Sequence, residues 1–218
     1  LKDYVHSIQK DCLVSGRVGN DAGDYVSLGD NQLPVYPYRE LCEGIGTMNE
    51  SWGYKRMDNH YYSTRELLRI LCCMATNNAN YLLNVGPDAT GRFPAEAEIR
   101  LSEMGEFVRR NAEALYGSQP VPFIMHSNRW GGMTVKENAI YLWLFNNFPG
   151  GLNFYGIRNK VRCCRVLDSG AEIAFSQESR EAVDYHKLHV AIPESLPTPV
   201  IVKVELEGTP DVNAGAYG

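Results

Sequence analysis

The chain has 218 residues, 44% of them hydrophobic and 22% charged, with a formal net charge of -5 and a pI near 5.6. That length suits one large globular domain or two small ones, and the composition excludes a disordered chain. The acidic balance and the lack of a dense Lys/Arg run exclude an electrostatic footprint for nucleic acid or an anionic membrane, which leaves a neutral or small polar ligand.

In chain order, LKDYVHSIQK reads as a helix end, too polar for a signal peptide. CLVSG is a short apolar run of strand type closed by Arg17, and the polar, glycine-rich RVGNDAGDYVSLGDNQLP reads as a long functional loop. ELCEGIGTMNESWGY then carries one acid, Glu40, a Gly-Ile-Gly turn and an exposed-looking aromatic pair, Trp52 and Tyr54, on a glycine-hinged loop. Ser63-Thr64-Arg65-Glu66 is a capping box opening a helix that buries Leu67, Leu71, Met74 and Ala75. YLLNVGP is a continuous apolar run, as in a parallel strand covered on both faces. Pro94 opens the next helix, whose stripe of Ala97, Leu101, Met104, Val108 and Leu115 ends at Gly117. Strand, loop, helix, strand, helix is the order of an α/β fold.

After Gly117 helical periodicity gives way to short alternating runs: GMTVKEN, AIYLWLF, LNFYGI, VRCCRVL, AEIAFS, KLHVAIP and PVIVKVEL. Turn residues such as Pro149-Gly150-Gly151 and Asp168-Ser169-Gly170 separate them, so an antiparallel β-sandwich is expected. Two domains follow, residues 1–117 (α/β) and 118–218 (all-β). No apolar run approaches the roughly 18 to 20 residues that span a bilayer. The six cysteines, including the adjacent pairs Cys72-Cys73 and Cys163-Cys164, lie in or near apolar segments and read as core thiols; no CxxC or Cys/His spacing points to a metal. The sequon Asn49-Glu50-Ser51 is compatible with a secretory route.

Glu40 is the first residue with chemical potential, since a carboxylic acid near aromatic rings can be desolvated and donate a proton near neutral pH. Glu43 and Glu50 share that loop; the plainer reading of all three is a solvated surface acid. Arg17, closing an apolar strand, would put a guanidinium at the C-terminal mouth of a parallel sheet or barrel. Its alternative is a surface ion pair with Asp21 or Asp24. Trp52 and Tyr54 supply flat apolar faces and a hydroxyl, which suit the C–H face and hydroxyl rim of a sugar, or else pack in a core. His6, His60, His126, His186 and His189 are scattered and read as surface or structural, and Asp88 reads as a turn residue. No GxSxG, P-loop, HExxH or strand-to-helix GxGxxG occurs.

Several ordered motifs resemble the retaining alpha-L-fucosidases, a family of glycoside hydrolases: VSGRVG with GDY at 23–25, ELCEGIG with SWGY at 51–54, NYLLNVGPDATGRFP, NAEALYGSQPVPF, TVKENAIYLWLFN and VLDSGAEIAFSQ. The resemblance implies a partial (β/α)8-like catalytic barrel followed by a β-sandwich. It also implies hydrolysis of terminal fucose from glycans by double displacement, with two carboxylates about 5 to 5.5 Å apart and no metal or organic cofactor. By position Glu40 matches the family's acid/base glutamate before SWGY, and Arg17 an arginine that contacts fucose or the nucleophile. Two departures stand out. The family's Trp-Glu is Arg39-Glu40 here, and no Trp-x-Asp-Gly nucleophile context precedes Arg17. The resemblance therefore covers the second half of such an enzyme, and half a barrel leaves an edge that a first-half polypeptide or a second copy of the chain would cover. An extracytoplasmic location (secreted, periplasmic or lysosomal) is implied by the family alone. The competing expectations are a non-catalytic carbohydrate-binding or assembly module, and a related hydrolase acting on another sugar.

Overall fold

The structure is a computed structural model, in which residues 1–19, 22–122 and 129–217 are described; Asp21 and His126 lie outside them. The chain divides into two compact units, Leu1–Met104 and Gly105–Gly218.

The first unit runs α1 (Lys2–Ile8), β1 (Val26–Ser27), β2 (Cys42–Thr47), α2 (Thr64–Thr76), β3 (Ala79–Asn84) and most of α3 (Ala95–Arg110). The strands form a parallel sheet in the order β1-β2-β3. CLVSG makes only a single parallel bridge, Ser15 to Tyr25, rather than a full strand. ELCEGIG is not a hinged loop: residues 42–47 are the central strand. Its glycines serve packing, because a Cβ on Gly44 would lie 2.3 Å from the Met74 Cε of α2. The capping box is present, with the Ser63 hydroxyl accepting from Glu66 N and the Glu66 carboxylate accepting from Ser63 N.

Pairing register separates the faces of this sheet. Cys42, Ala79 and Val26 share one face and pack with Met74 and Ile70 of α2. Ser27, Glu43, Ile45, Asn80 and Leu82 share the other. There Leu82 is 49% exposed, so β3 is covered on one face and not on both as its apolar run predicts. In α2 Leu67 and Met74 are buried as expected, while Leu71 and Ala75 are half-buried and Leu68 and Cys72 are buried in their stead. Pro94 stands just before α3, its carbonyl accepting from Ala97 N and Glu98 N.

The second unit holds the end of α3, α4 (Ala112–Leu115), β4 (Gln119–Pro120), β5 (Gly131–Lys136), β6 (Ala139–Leu144), β7 (Leu152–Ile157), β8 (Val161–Val166), β9 (Phe175–Arg180), β10 (Tyr185–Val190), β11 (Val200–Leu206) and β12 (Val212–Tyr217). Two sheets form, β4-β5-β6-β11-β8 and β12-β7-β10-β9, and every pairing within them is antiparallel. One hydrophobic cluster joins them: Met133, Leu142, Val166 and Val202 from the first meet Phe154, Leu188 and Val190 from the second. AIYLWLF is apolar throughout because β6 is central and buried on both faces. Ile140, Leu142 and Leu144 enter that cluster, while Tyr141 and Trp143 meet Glu113 of α4 and Phe107 of α3.

The strand expected at AEIAFS begins later, at Phe175, and continues through the polar SQESR. As an edge strand it needs only Phe175 toward the core. All six cysteines are free thiols. Among the described residues no helix is long and apolar enough to cross a membrane.

Candidate active site

Arg17 is set by a backbone staple. Asp24 N donates to Val14 O at 2.7 Å, Gly16 N donates to Tyr25 O at 3.0 Å, and Val14 N donates to the Asp24 carboxylate at 2.8 Å. Gly16 and Gly23 allow that approach: a Cβ on Gly23 would lie 2.6 Å from Gly16 N. This accounts physically for VSGRVG and GDY. Lys2 Nζ at 2.7 Å and His6 Nε2 at 3.0 Å tie α1 to the same carboxylate. Lys2, with Val14 N and His6, lowers the Asp24 pKa from its ordinary 3.8 to about 2. A carboxyl with a lowered folded pKa stabilises above its unfolded value and loses that contribution as pH falls through the folded one. In thermal melts, Asp24→Asn should therefore lower the midpoint of the first unit above pH ~4, and the difference should vanish toward pH ~2. A pH-independent difference would contradict this.

From the staple, the Arg17 side chain reaches the C-terminal end of β1. Its Nε donates to Ser27 Oγ at 3.2 Å, and its terminal nitrogen donates to Leu28 O at 3.2 Å and pairs with Asp30 at 2.5 Å. Of the two expected ion-pair partners, Asp24 instead serves Lys2 and His6. The ends of the neighbouring strands are laced to this point. Asn31 N donates to Ile45 O at 2.9 Å, and Thr47 N donates to Asn31 Oδ1 at 3.0 Å. Thr47 Oγ1 lies 3.2 Å from Ser51 O, and Asn84 Nδ2 donates to Thr47 Oγ1 at 3.2 Å and to Trp52 O at 2.7 Å. The SWGY segment is thus held at the C-terminal ends of β2 and β3 with its rings open: Trp52 is 39% and Tyr54 52% exposed.

Glu40 lies elsewhere. It is exposed and precedes β2 by two residues, whereas Trp52 and Tyr54 follow its other end. Six strand residues at about 3.3 Å each separate the two by roughly 20 Å. The structure thus brings Arg17, Trp52 and Tyr54 to one end of the parallel sheet and leaves Glu40 at the opposite end. Asp30, which follows rather than precedes Arg17 and so does not fit the family's nucleophile position, and Asn31 also join that end. The available signal was position, since both follow the strand VS by three or four residues. Glu50 pairs with His60 at 3.1 Å in the open. Asp58 is buried, and its Oδ2 has no partner among the described residues. Asp88 is a turn residue, accepting from Thr90 N at 2.7 Å and Arg92 N at 3.1 Å. Among the described residues no group of three or more His, Cys, Asp or Glu side chains gathers to hold a metal.

Open aromatics and a guanidinium at the C-terminal ends of parallel strands, with an antiparallel β unit following, have the character of a carbohydrate-active protein. The family model described as alpha-L-fucosidase matches residues 2–113, just over half of the chain, and the chain belongs to that family. A putative alpha-L-fucosidase of Caenorhabditis elegans is 32% identical over 183 residues, covering 79% of this chain and 36% of that protein. The alpha-L-fucosidase of Dictyostelium discoideum is 29% identical over 150 residues, covering 65% of this chain and 32% of that one. The chain thus spans about a third of the length of these relatives. Among solved structures, the alpha-L-fucosidase of Vibrio sp. strain EJY3 matches with a TM-score of 0.86 at 25% identity, covering 97% of this chain and 39% of that one. Isoenzyme 1 from Paenibacillus thiaminolyticus gives 0.82 at 27% identity, covering 94% and 52%.

Proposed function

We propose that the chain is the later part of a retaining alpha-L-fucosidase: the last strands of a (β/α)8-like barrel in residues 1–117, then a β-sandwich in 118–218, acting on terminal fucose of glycans. The observation that carries this reading is the grouping of Arg17 with the open Trp52 and Tyr54 at the C-terminal end of β1–β3, in a chain of the fucosidase family. In this reading the aromatic rings hold the apolar face of the sugar, while the spare guanidinium donors of Arg17 take a ring hydroxyl or the nucleophile's carboxylate. The nucleophile comes from polypeptide outside these 218 residues. It attacks the anomeric carbon as the aglycone oxygen leaves with a proton from the acid. Water then displaces the enzyme carboxylate, giving its proton to the same acid/base, so the anomeric configuration is retained.

The family resemblance gives the acid/base role to Glu40, but the geometry favours Asp30. An acid roughly 20 Å along the strand from the aromatics cannot protonate an oxygen at a sugar held there. In the complete enzyme, the variant of the true acid/base should lose turnover of poor leaving groups far more than of activated aryl fucosides. We expect Asp30→Asn to show that split and Glu40→Gln to spare both substrates. The split in Glu40→Gln alone would restore Glu40 to the role. The reading as a whole is tested by intact mass, solution size and aryl-fucoside hydrolysis on one purified sample, with the product anomer followed by NMR. Activity together with a second polypeptide and α-fucose as first product is expected. Inversion would sink the retaining mechanism, and fucose binding without turnover, in material of complete mass, would favour the non-catalytic binding module.

A further inference from the structure

The outer face of the β12-β7-β10-β9 sheet is built differently from the rest of the second unit. Alternation along β10 sends His186, Leu188 and Val190 inward and leaves Tyr185, Lys187 and His189 outward. Register then sets three cross-strand rows on the outer face: Asn153–His189–Ser176, Tyr155–Lys187–Glu178, and Tyr185–Arg180. Asn153, His189, Ser176, Lys187 and Glu178 of the first two rows, with Gln177, line a groove of about 440 Å³, within the size range of small-ligand sites.

The groove's chemistry is specific. The His189 Nδ1 lies 3.1 Å from Asn153 Oδ1. With that nitrogen donating, Nε2 is left as an acceptor and the Asn153 amide as a donor. Lys187 carries no ion pair among the described residues, and Glu178 is already neutralised by Arg180 at 2.6 Å. Tyrosines border the groove: the Tyr155 ring of the second row lies 6.3 Å from the Tyr185 ring of the third, and the Arg180 guanidinium lies 5.5 Å over Tyr185. One unpaired ammonium, Lys187, among amide, imidazole and hydroxyl groups, with a tyrosine border, matches the hydroxyls of an uncharged polyol; a polyanion would need several converging cations, and an apolar partner would need a dry floor.

We propose that this groove is a second, non-catalytic glycan-binding site that takes a neutral oligosaccharide. The site lies wholly in the second unit and stands whether or not the catalytic reading holds.

The test is an NMR titration of the isotopically labelled full chain with 2′-fucosyllactose, with cellotetraose and with a heparin tetrasaccharide, each to about 10 mM, enough to saturate a site with a Kd of about 1 mM. Saturable amide shifts centred on residues 153, 176–178 and 187–189 with at least one neutral sugar are expected. The double variant Lys187→Ala/His189→Ala should weaken that binding at least tenfold with its thermal midpoint unchanged; His189→Ala alone serves if the double variant unfolds. Shifts confined to residues 52–54, tighter binding of the heparin fragment, undiminished affinity in the variants, or no saturable shift with either neutral sugar would each overturn the proposal.

Discussion

In the proposed fucosidase, Gly86→Ala should weaken fucoside binding at least tenfold without adding or removing any group proposed to touch the sugar. Gly86 is buried two residues beyond β3, and a Cβ there would lie 2.5 Å from Gly53 C and 2.6 Å from Tyr54 N. Those are backbone atoms and cannot rotate aside, so the SWGY segment must shift by an ångström or so, enough to misplace both rings. The change has a second readout that does not depend on catalysis. Trypsin should cut at Lys55 and Arg56 several-fold faster in the variant, because the loop loses its seat on the end of β3. Unchanged cleavage and unchanged affinity together would mean that the hydrogen bonds from Asn84 to Trp52 O and from Thr47 to Ser51 O hold the loop without that seat.

Trp143→Ala should destabilise the second unit by about 3–5 kcal/mol, the range for emptying a buried aromatic site. Trp143 is 1% exposed, packs 6.3 Å from the Phe107 ring, and donates from Nε1 to Thr134 Oγ1 at 3.1 Å. Thr134 in turn donates to Ala114 O at 2.8 Å, so the indole is part of what holds α4 to β5. Urea unfolding followed by far-UV circular dichroism should show the loss in the transition of the second unit only, with Trp143→Phe costing markedly less. A loss under about 1 kcal/mol would mean that neighbouring side chains collapse into the space.

The sequence was most readable where local chemistry and burial agree. Ser63 and Glu66 announce α2 because their side chains close a cap that needs nothing from the rest of the fold. β6 announces itself because a strand buried on both faces has no place for a polar residue. Legibility failed where partners are distant in sequence. SQESR looks unlike a strand because its edge position leaves most of its side chains in water, and Leu82 looks buried because the composition of β3 does not record what covers each face. The site divides the same way. Trp52, Tyr54 and Arg17 could be found from type and position, but assigning Glu40 required knowing where β2 begins. A Gly-Ile-Gly run reads as a hinge until the Met74 side chain that crowds it is in view. Asp30 was legible only from its position after the strand VS; its pairing with Arg17 spans thirteen residues.

The adjacent cysteines give each unit its own clock. Cys72 and Cys164 are buried, and burial pushes both thiols well above their usual range, that of Cys164 to about 12. Near neutral pH neither offers a thiolate to an alkylating reagent while its surroundings stay closed. The rate at which each is modified is therefore the rate or population of opening around it: Cys72 reports on the packing of α2 against the parallel sheet, and Cys164 on the core between the two antiparallel ones. A single mass-spectrometric labelling time course thus reads the lifetimes of both units separately, in one unmodified molecule.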